Sequence, residues 1–312
     1  MNQLLIYRIF EDNLIETKFE EFKSDEKSRY WVMMTPEELQ ENYEVFNFSY
    51  QTIYDCIHNE DTPKLDVYEN YSFGILNIIG PKESFFSVTE LNFYISEKSL
   101  IFISKKHLDL FREIQNDIYN KGALNTSLEK ILFNLIDKMT NKDYTMLSNL
   151  ESEISNVEED VLNGKIKDYA KDIVLLKNKL LFLKKHYEPL LDIVEDLTEN
   201  ENNILDERSI AYFVILFNRI ERLNRKVGNL RDYVTQIRES YQAQLDINLN
   251  NTMKLFTVLT AVFSPLTLIV GWYGMNFPMP EFNWKYGYVF VITLSLFVLY
   301  FCLWIFKKKK LW

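Results

Sequence analysis

The chain predicts an α+β membrane protein in which an N-terminal mixed α/β domain, placed in the cytoplasm, leads into a long helical stalk and two C-terminal transmembrane helices. Three observations carry this reading. Residues 1 to about 105 hold short runs rich in β-branched and aromatic residues, the composition of strands. An apolar seam at heptad spacing runs from Phe213 to Tyr241. Two runs without a charge, Leu255–Tyr273 (19 residues) and Tyr286–Phe306 (21 residues), follow it, and about 20 apolar residues span a bilayer core as a helix. Two such runs in succession argue against a pair of buried core helices.

In chain order, strands are expected at Leu4–Phe10, Leu14–Phe19, Tyr30–Met34, Lys64–Tyr68, Phe73–Ile79, Glu90–Ile95 and Leu100–Ser104. Thr35-Pro36-Glu37-Glu38 reads as a capping box with proline at the first helical position. A mixed sheet covered by helices is the simplest architecture for this part. From about His107 the pattern is helical, with long stretches at Ser127–Leu162 and Asp168–Leu197, broken near Gly164 and around Asn200. They predict an antiparallel helical hairpin, with Pro189 as a site for a kink.

The next stretch runs from about Ser209 to Tyr273 with no stop signal. Phe213, Leu216, Ile220, Leu223, Val227, Leu230, Val234, Ile237 and Tyr241 are spaced 3 and 4 alternately, a packing seam. Stalk and first span are expected to be one helix, roughly 100 Å long at 1.5 Å per residue. The predicted division is 1–106 for the α/β domain, 107–206 for the hairpin, 207–273 for the stalk helix and first span, 274–285 for an outer loop, 286–306 for the second span and 307–312 for a basic tail.

Charge is uneven. Residues 251–312 carry six lysines and one acid, Glu281; taking these from 35 basic and 45 acidic residues leaves 29 and 44, a formal charge of −15 for residues 1–250. Such an acidic part excludes nucleic acid as a partner and suits cation handling. No signal peptide is read at the N-terminus. Lys307–Lys310 after the second span put both termini in the cytoplasm by the positive-inside rule. Cys56 lies in the soluble part and Cys302 in the second span, so no disulfide framework is expected, and three histidines make no zinc-type cluster. There is no phosphate-binding glycine loop, no Gly-x-Ser-x-Gly and no nucleophile–base pairing. The chain is not read as an enzyme, and no bound cofactor is expected.

A second stripe begins where the apolar seam ends. Asn250, Met253, Thr257, Thr260, Ser264, Thr267 and Gly271 again alternate at 3 and 4, shifted two residues from the seam and so about 200° around the helix. Every hydroxyl between Leu255 and Val270 lies on it. Two roles compete: glue between membrane helices, or the wall of a pore. One polar face cannot enclose a channel, but a ring of identical helices can. The stripe holds no ionisable group, and neutral oxygens permit weak, multi-site passage. It leads to Tyr273-Gly274-Met275-Asn276-Phe277 at the mouth between the spans.

That motif resembles the Gly-Met-Asn signature of the CorA-type magnesium transporters. Met253-Lys254, Ser264-Pro265-Leu266-Thr267, Met279-Pro280-Glu281, Trp284-Lys285-Tyr286-Gly287-Tyr288 and the terminal lysines follow in family order. Pro63–Tyr71 and Glu90–Ser104 in the soluble part are also similar. The resemblance implies a homopentamer with a helical funnel, in the inner membrane among lipids, that moves divalent cations. Mg²⁺ is the expected cargo and regulator, with Co²⁺ and Ni²⁺ beside it. Gly274, Met275 and Asn276 would select the ion, with Asn276 meeting hydrated Mg²⁺ in its outer sphere. Asn250, Met253 and Phe256 match the narrow inner part of the family's pore, and Met253 and Phe256 would form a hydrophobic gate, although Phe256 also suits lipid or helix packing. Glu281 is either an outer acidic ring or an exposed loop charge. Relatives often carry Tyr-Phe-Arg-Asp in the stalk, where the aspartate helps to bind a regulatory Mg²⁺; here the residues are Tyr212-Phe213-Val214-Ile215, which puts that site in doubt. A zinc transporter of the same superfamily and a non-conducting membrane-anchored scaffold are the competing readings.

Overall fold

A computed structural model describes residues 4–10, 13–25, 27–58, 62–81, 86–106, 108–120, 126–163, 168–277 and 279–308. The expected break near Gly164, His107 and the lysines at 309 and 310 lie outside the described residues. The chain divides into two compact units, residues 1–158 with 168–236, and residues 159–167 with 237–312.

The first unit opens with β1 (Leu5–Phe10), β2 (Asn13–Glu16), α1 (Phe19–Ser24), β3 (Arg29–Met34), α2 (Pro36–Glu41), α3 (Tyr43–Phe46) and α4 (Tyr50–His58), then β4 (Lys64–Val67), β5 (Ser72–Pro81), β6 (Phe86–Ile95) and β7 (Ser99–Ile103). The strands form one sheet in the order β2-β1-β3-β7-β6-β5-β4. Only β3 and β7 pair parallel, with Val32 opposite Ile101. Both faces of β3 are covered, so Tyr30, Trp31, Val32, Met33 and Met34 are all buried. Tyr30, Val32 and Met34 meet Leu39, Ile53 and Cys56 from α2 and α4; Trp31 turns the other way onto Phe102 and Phe111. The capping box is formed: the Thr35 hydroxyl accepts from the Glu38 amide at 3.2 Å, and Glu38 Oε2 accepts from the Thr35 amide at 3.0 Å.

The second strand is shorter than expected. Leu14–Phe19 divides into β2, ending at Glu16, and α1, beginning at Phe19. Phe19 and Phe22 stand three apart, which is helical spacing, and stack at 6.0 Å over an aromatic cluster with Phe46 and Tyr30.

Helices fill the rest of this unit: α5 (Asp109–Asn120), α6 (Leu128–Thr140), α7 (Asp143–Leu162) and α8 (Ala170–Glu199). The stretch expected as one helix over Ser127–Leu162 is two: α6 ends at Thr140, whose hydroxyl donates back to the Ile136 carbonyl at 3.0 Å, and α7 restarts at Asp143. Ser127 caps α6 by accepting from the Lys130 amide. Lys179 of α8 reaches Glu153 of α7 at 2.9 Å. Asn200 ends α8 in the left-handed region, φ 47°, where an Asn is among the few residues tolerated. Asn202 then donates to the Tyr68 carbonyl at 2.8 Å and Ser72 Oγ at 2.9 Å, tying the helices to the β4–β5 edge.

The last long helix, α9, runs unbroken from Glu207 to Tyr273. Its predicted seam is the buried face: Phe213, Leu216, Ile220, Leu223, Val227, Leu230, Val234 and Ile237 are all buried, and Tyr241, the last of the predicted seam, is half-buried. Arg219 pairs with Asp137 at 2.5 Å and Lys226 with Glu151 at 2.8 Å, so charges flank the seam rather than enter it. After α9 come a 3-10 turn, Pro280–Asn283, and α10 (Gly287–Lys308). The C-terminal part of α9 and the whole of α10 are long and apolar enough to cross a membrane, and are almost wholly unburied.

Candidate functional site

One contact fixes which face of α9 meets α10. Pro265 has no amide hydrogen, so the Ala261 carbonyl, four residues earlier, loses its helical donor. The Cys302 thiol of α10 approaches that carbonyl at 3.9 Å. Around this point Val258, Ala261, Val262, Pro265, Leu266 and Ile269 are the residues of α9 that are buried or half-buried. They form a stripe at helical spacing. Sequence reasoning missed this face; its signal was the set of small and branched residues left between the hydroxyls.

All seven residues of the polar stripe, from Asn250 to Gly271, are exposed. Ser264 follows the buried Val262 by two residues, about 200° around the axis, so the stripe points away from the chain's own second span. Thr257 donates to the Met253 carbonyl and Thr267 to the Phe263 carbonyl, each at 2.8 Å. Each hydroxyl proton is thereby satisfied inside the helix, and the oxygen lone pairs face outward as acceptors. A Cβ on Gly271 would touch nothing within 4 Å. Nothing within the single chain requires a glycine there. Met253 and Phe256 are exposed at the lower end of this face, at 63% and 60%.

The helix ends abruptly at Tyr273. The Gly274 amide donates to the Val270 carbonyl at 2.9 Å and the Met275 amide to the Trp272 carbonyl at 3.3 Å. A Cβ on Gly274 would lie 2.9 Å from that Val270 oxygen, so close approach, not backbone handedness, selects glycine. The next three residues, Met275, Asn276 and Phe277, are exposed. Among the described residues, the Asn276 amide forms no side-chain hydrogen bond, which leaves its oxygen and nitrogen available to a solvated ligand.

Glu281 is half-buried within the 3-10 turn. Its carbonyl accepts from the Trp284 amide at 3.2 Å, and a Cβ on Gly287 would come within 2.4 Å of the same oxygen. Gly287 therefore sets how closely the turn sits on the start of α10. The sequence marked it only as part of a matching run. Trp284 packs on Phe290 and Tyr286 at the same end, the position of an interfacial aromatic anchor.

In the stalk, Phe213 is fully buried while Val214 and Ile215 are 43% and 53% exposed. Among the described residues no group of three or more His, Cys, Asp or Glu side chains could hold a metal ion.

Residues 26–308 match the family model described as CorA-like Mg²⁺ transporter protein. The cobalt/magnesium transport protein CorA of Thermotoga maritima is 26% identical over 312 aligned residues, covering 94% of this chain and 89% of that protein. The complete structure of the CorA magnesium transporter from Methanocaldococcus jannaschii superimposes with a TM-score of 0.82 at 20% identity, covering 98% of both chains. The full-length CmaX protein superimposes at 0.78 with 17% identity, over 99% of this chain and 98% of that one.

Proposed function

The chain belongs to the CorA-like Mg²⁺ transporter family, and on that footing we propose that it carries Mg²⁺, with Co²⁺ beside it, into the cytoplasm through a pore lined by α9 from several identical chains. A pentamer in the inner membrane with both termini in the cytoplasm is the assembly this reading takes. The observation that carries it is the polar stripe: seven residues from Asn250 to Gly271 all stand exposed, on the side of α9 opposite the face that meets α10. A face of hydroxyls and an amide turned away from its own chain suits a watery surrounding, and a ring of such helices supplies one.

In this reading the ion arrives hydrated. Mg²⁺ gives up its waters reluctantly, so Asn276 amides and Gly274–Met275 backbone groups hold the water shell instead of the metal. Glu281 raises the cation concentration outside. Below, Thr267, Ser264, Thr260 and Thr257 offer neutral oxygens in succession, strong enough to guide and weak enough to release. Met253 and Phe256 narrow the inner end and close it by excluding water. A divalent ion entering down the membrane potential gains about 4.6 kcal/mol per 100 mV, twice the single-charge value, so no enzymatic energy source enters the scheme. The regulatory ion's usual stalk aspartate is replaced by Ile215, which offers no ligand; closure in response to internal Mg²⁺ does not run through that position.

The test is Mg²⁺ uptake into proteoliposomes by the wild type and by Asn276→Ala. Mg²⁺ flux in the wild type, reduced at least tenfold in the variant, is expected. Equal flux in both would remove Asn276 as the selecting group. Zinc flux without Mg²⁺ flux would favour the zinc reading, and no divalent flux at all a non-conducting scaffold.

A further inference from the structure

Close to the inner end of α9 and α10 an open apolar groove of about 450 Å³ lies within the second unit, walled by Leu255, Val258, Leu259, Val262, Phe263 and Leu303, with Asn251 and Lys254 at its rim. The walls suit hydrocarbon, and the rim does not. Because Cys302 lies beside Ala261 in the antiparallel pair, five residues further along α10 correspond to five residues back along α9. Lys307 therefore lies near the level of Phe256, and Lys254, Lys307 and Lys308 fall within about one helical turn of the same depth. All three are exposed. Lys308 sits over the Trp304 ring at 5.2 Å, a cation on an aromatic face. Among the described residues no carboxylate pairs with Lys254 or Lys307: the one acid in residues 251–312 is Glu281, which precedes α10 at its opposite end, and the next acid back along α9 is Asp246, eight residues and about 12 Å from Lys254.

We propose that this groove is a binding site for one anionic phospholipid of the inner leaflet, with an acyl chain against the groove walls and the phosphate held by Lys254 together with Lys307 and Lys308. The proposal rests on the reading that α9 and α10 cross the membrane with the lysines on the cytoplasmic side. Charge complementarity selects the occupant. A zwitterionic lipid or a second copy's apolar helix would fill the walls but leave the clustered ammonium groups unpaired, and each lysine near a surface of anionic lipid favours binding by roughly a factor of five. The groove is also on the far side of α9 from the polar stripe, so a lipid here stiffens the α9–α10 pair without entering the conduction path.

The test is native mass spectrometry of the full assembly, exchanged into nanodiscs of phosphatidylglycerol or of phosphatidylcholine, with Mg²⁺ uptake followed in parallel. Retained phosphatidylglycerol in preference to phosphatidylcholine is expected. Lys254→Gln keeps most of the stem and removes the charge; it should cut that preference about fivefold. Val258→Trp fills the groove and should release both lipids. A Lys254→Gln protein that keeps the full preference, or a Val258→Trp protein that keeps its lipid, overturns the proposal. So does a density map of the nanodisc-embedded assembly that shows a neighbouring chain's helix in the groove. Uptake that fails in the wild type counts against the transport reading, while lipid retention reports on the groove alone.

Discussion

The Cys302 thiol approaches the Ala261 carbonyl at 3.9 Å, and Ala261 is the residue whose helical hydrogen bond Pro265 abolishes. In hydrocarbon a carbonyl without a donor is costly, and neighbouring helices are the usual source of relief. A proline in the first span and a cysteine in the second are therefore one device, although 37 positions separate them.

Removing the donor should loosen the pair modestly, because a thiol is a weak donor. Cys302→Ala is expected to lower the unfolding midpoint of the detergent-solubilised assembly, at a cost of about 0.5–1 kcal/mol per chain, the scale of a typical hydrogen bond. The double variant Cys302→Ala with Pro265→Ala should recover stability, since the helix then supplies its own donor. A strictly additive loss in a thermal melt would separate the two residues.

Gly287 and Gly271 make opposite predictions. An alanine at Gly287 would place its Cβ 2.4 Å from the Glu281 carbonyl, whereas one at Gly271 meets nothing within 4 Å in its own chain. Gly287→Ala should displace the outer turn and destabilise it by about 1–3 kcal/mol, as overpacking does, with reduced Mg²⁺ uptake. Gly271→Ala should leave the melting temperature unchanged; any change in flux then reports a contact or a pore width outside the single chain.

The soluble part should weaken in acid through His186. Burial holds its pKa down at about 4, below the ordinary 6.5. Between those values the unfolded chain takes up a proton that the folded one refuses. Stability from this group is complete above about pH 6.5 and declines as pH falls toward 4, by roughly 3 kcal/mol in all. Asp143 is also buried, with its pKa raised by burial and lowered in part by the Tyr187 hydroxyl; a raised carboxyl pKa favours the folded state as pH falls and partly offsets the histidine. Melting of His186→Gln should lose most of the decline between pH 6.5 and 5.

The proposed inner constriction is testable by size. Phe256→Ala shortens an apolar side chain that is 60% exposed on α9, and, if it lies in the proposed gate, should admit water there. Expected is a rise in resting Na⁺ or Mg²⁺ leak of several-fold in proteoliposomes at zero potential. Leak unchanged in both Phe256→Ala and Met253→Ala would assign these side chains to packing.

Patterns with a short repeat were legible in the sequence, and contacts that cross between elements were not. Runs rich in β-branched and aromatic residues located the seven strands, one of them with its end misplaced, and the 3-4 spacing located both the buried seam of α9 and its exposed polar stripe. Leu14–Phe19 misled because a phenylalanine serves a strand or a helix equally by composition; only the Phe19–Phe22 spacing, met by Phe46 from α3, decides for helix. The break between α6 and α7 at Asn141–Lys142 was not legible either, since the sequence carries no glycine or proline there. The Gly-Met-Asn turn was legible because its residues are contiguous. The Pro265–Cys302 compensation and the Gly287 approach to Glu281 were not, since each depends on two segments meeting in space.

The central claim, that the stripe lines the conduction path, is most directly tested by cysteine substitution in a Cys56→Ser, Cys302→Ser background, at Thr257, Thr260, Ser264 and Thr267 and, as controls, at Val258, Val262 and Leu266. A charged, water-soluble thiol reagent should modify the four stripe positions, block Mg²⁺ uptake, and act more slowly when Mg²⁺ is present, while the controls stay unmodified. Modification without this periodicity, or reaction at the stripe that leaves uptake intact, would contradict the account.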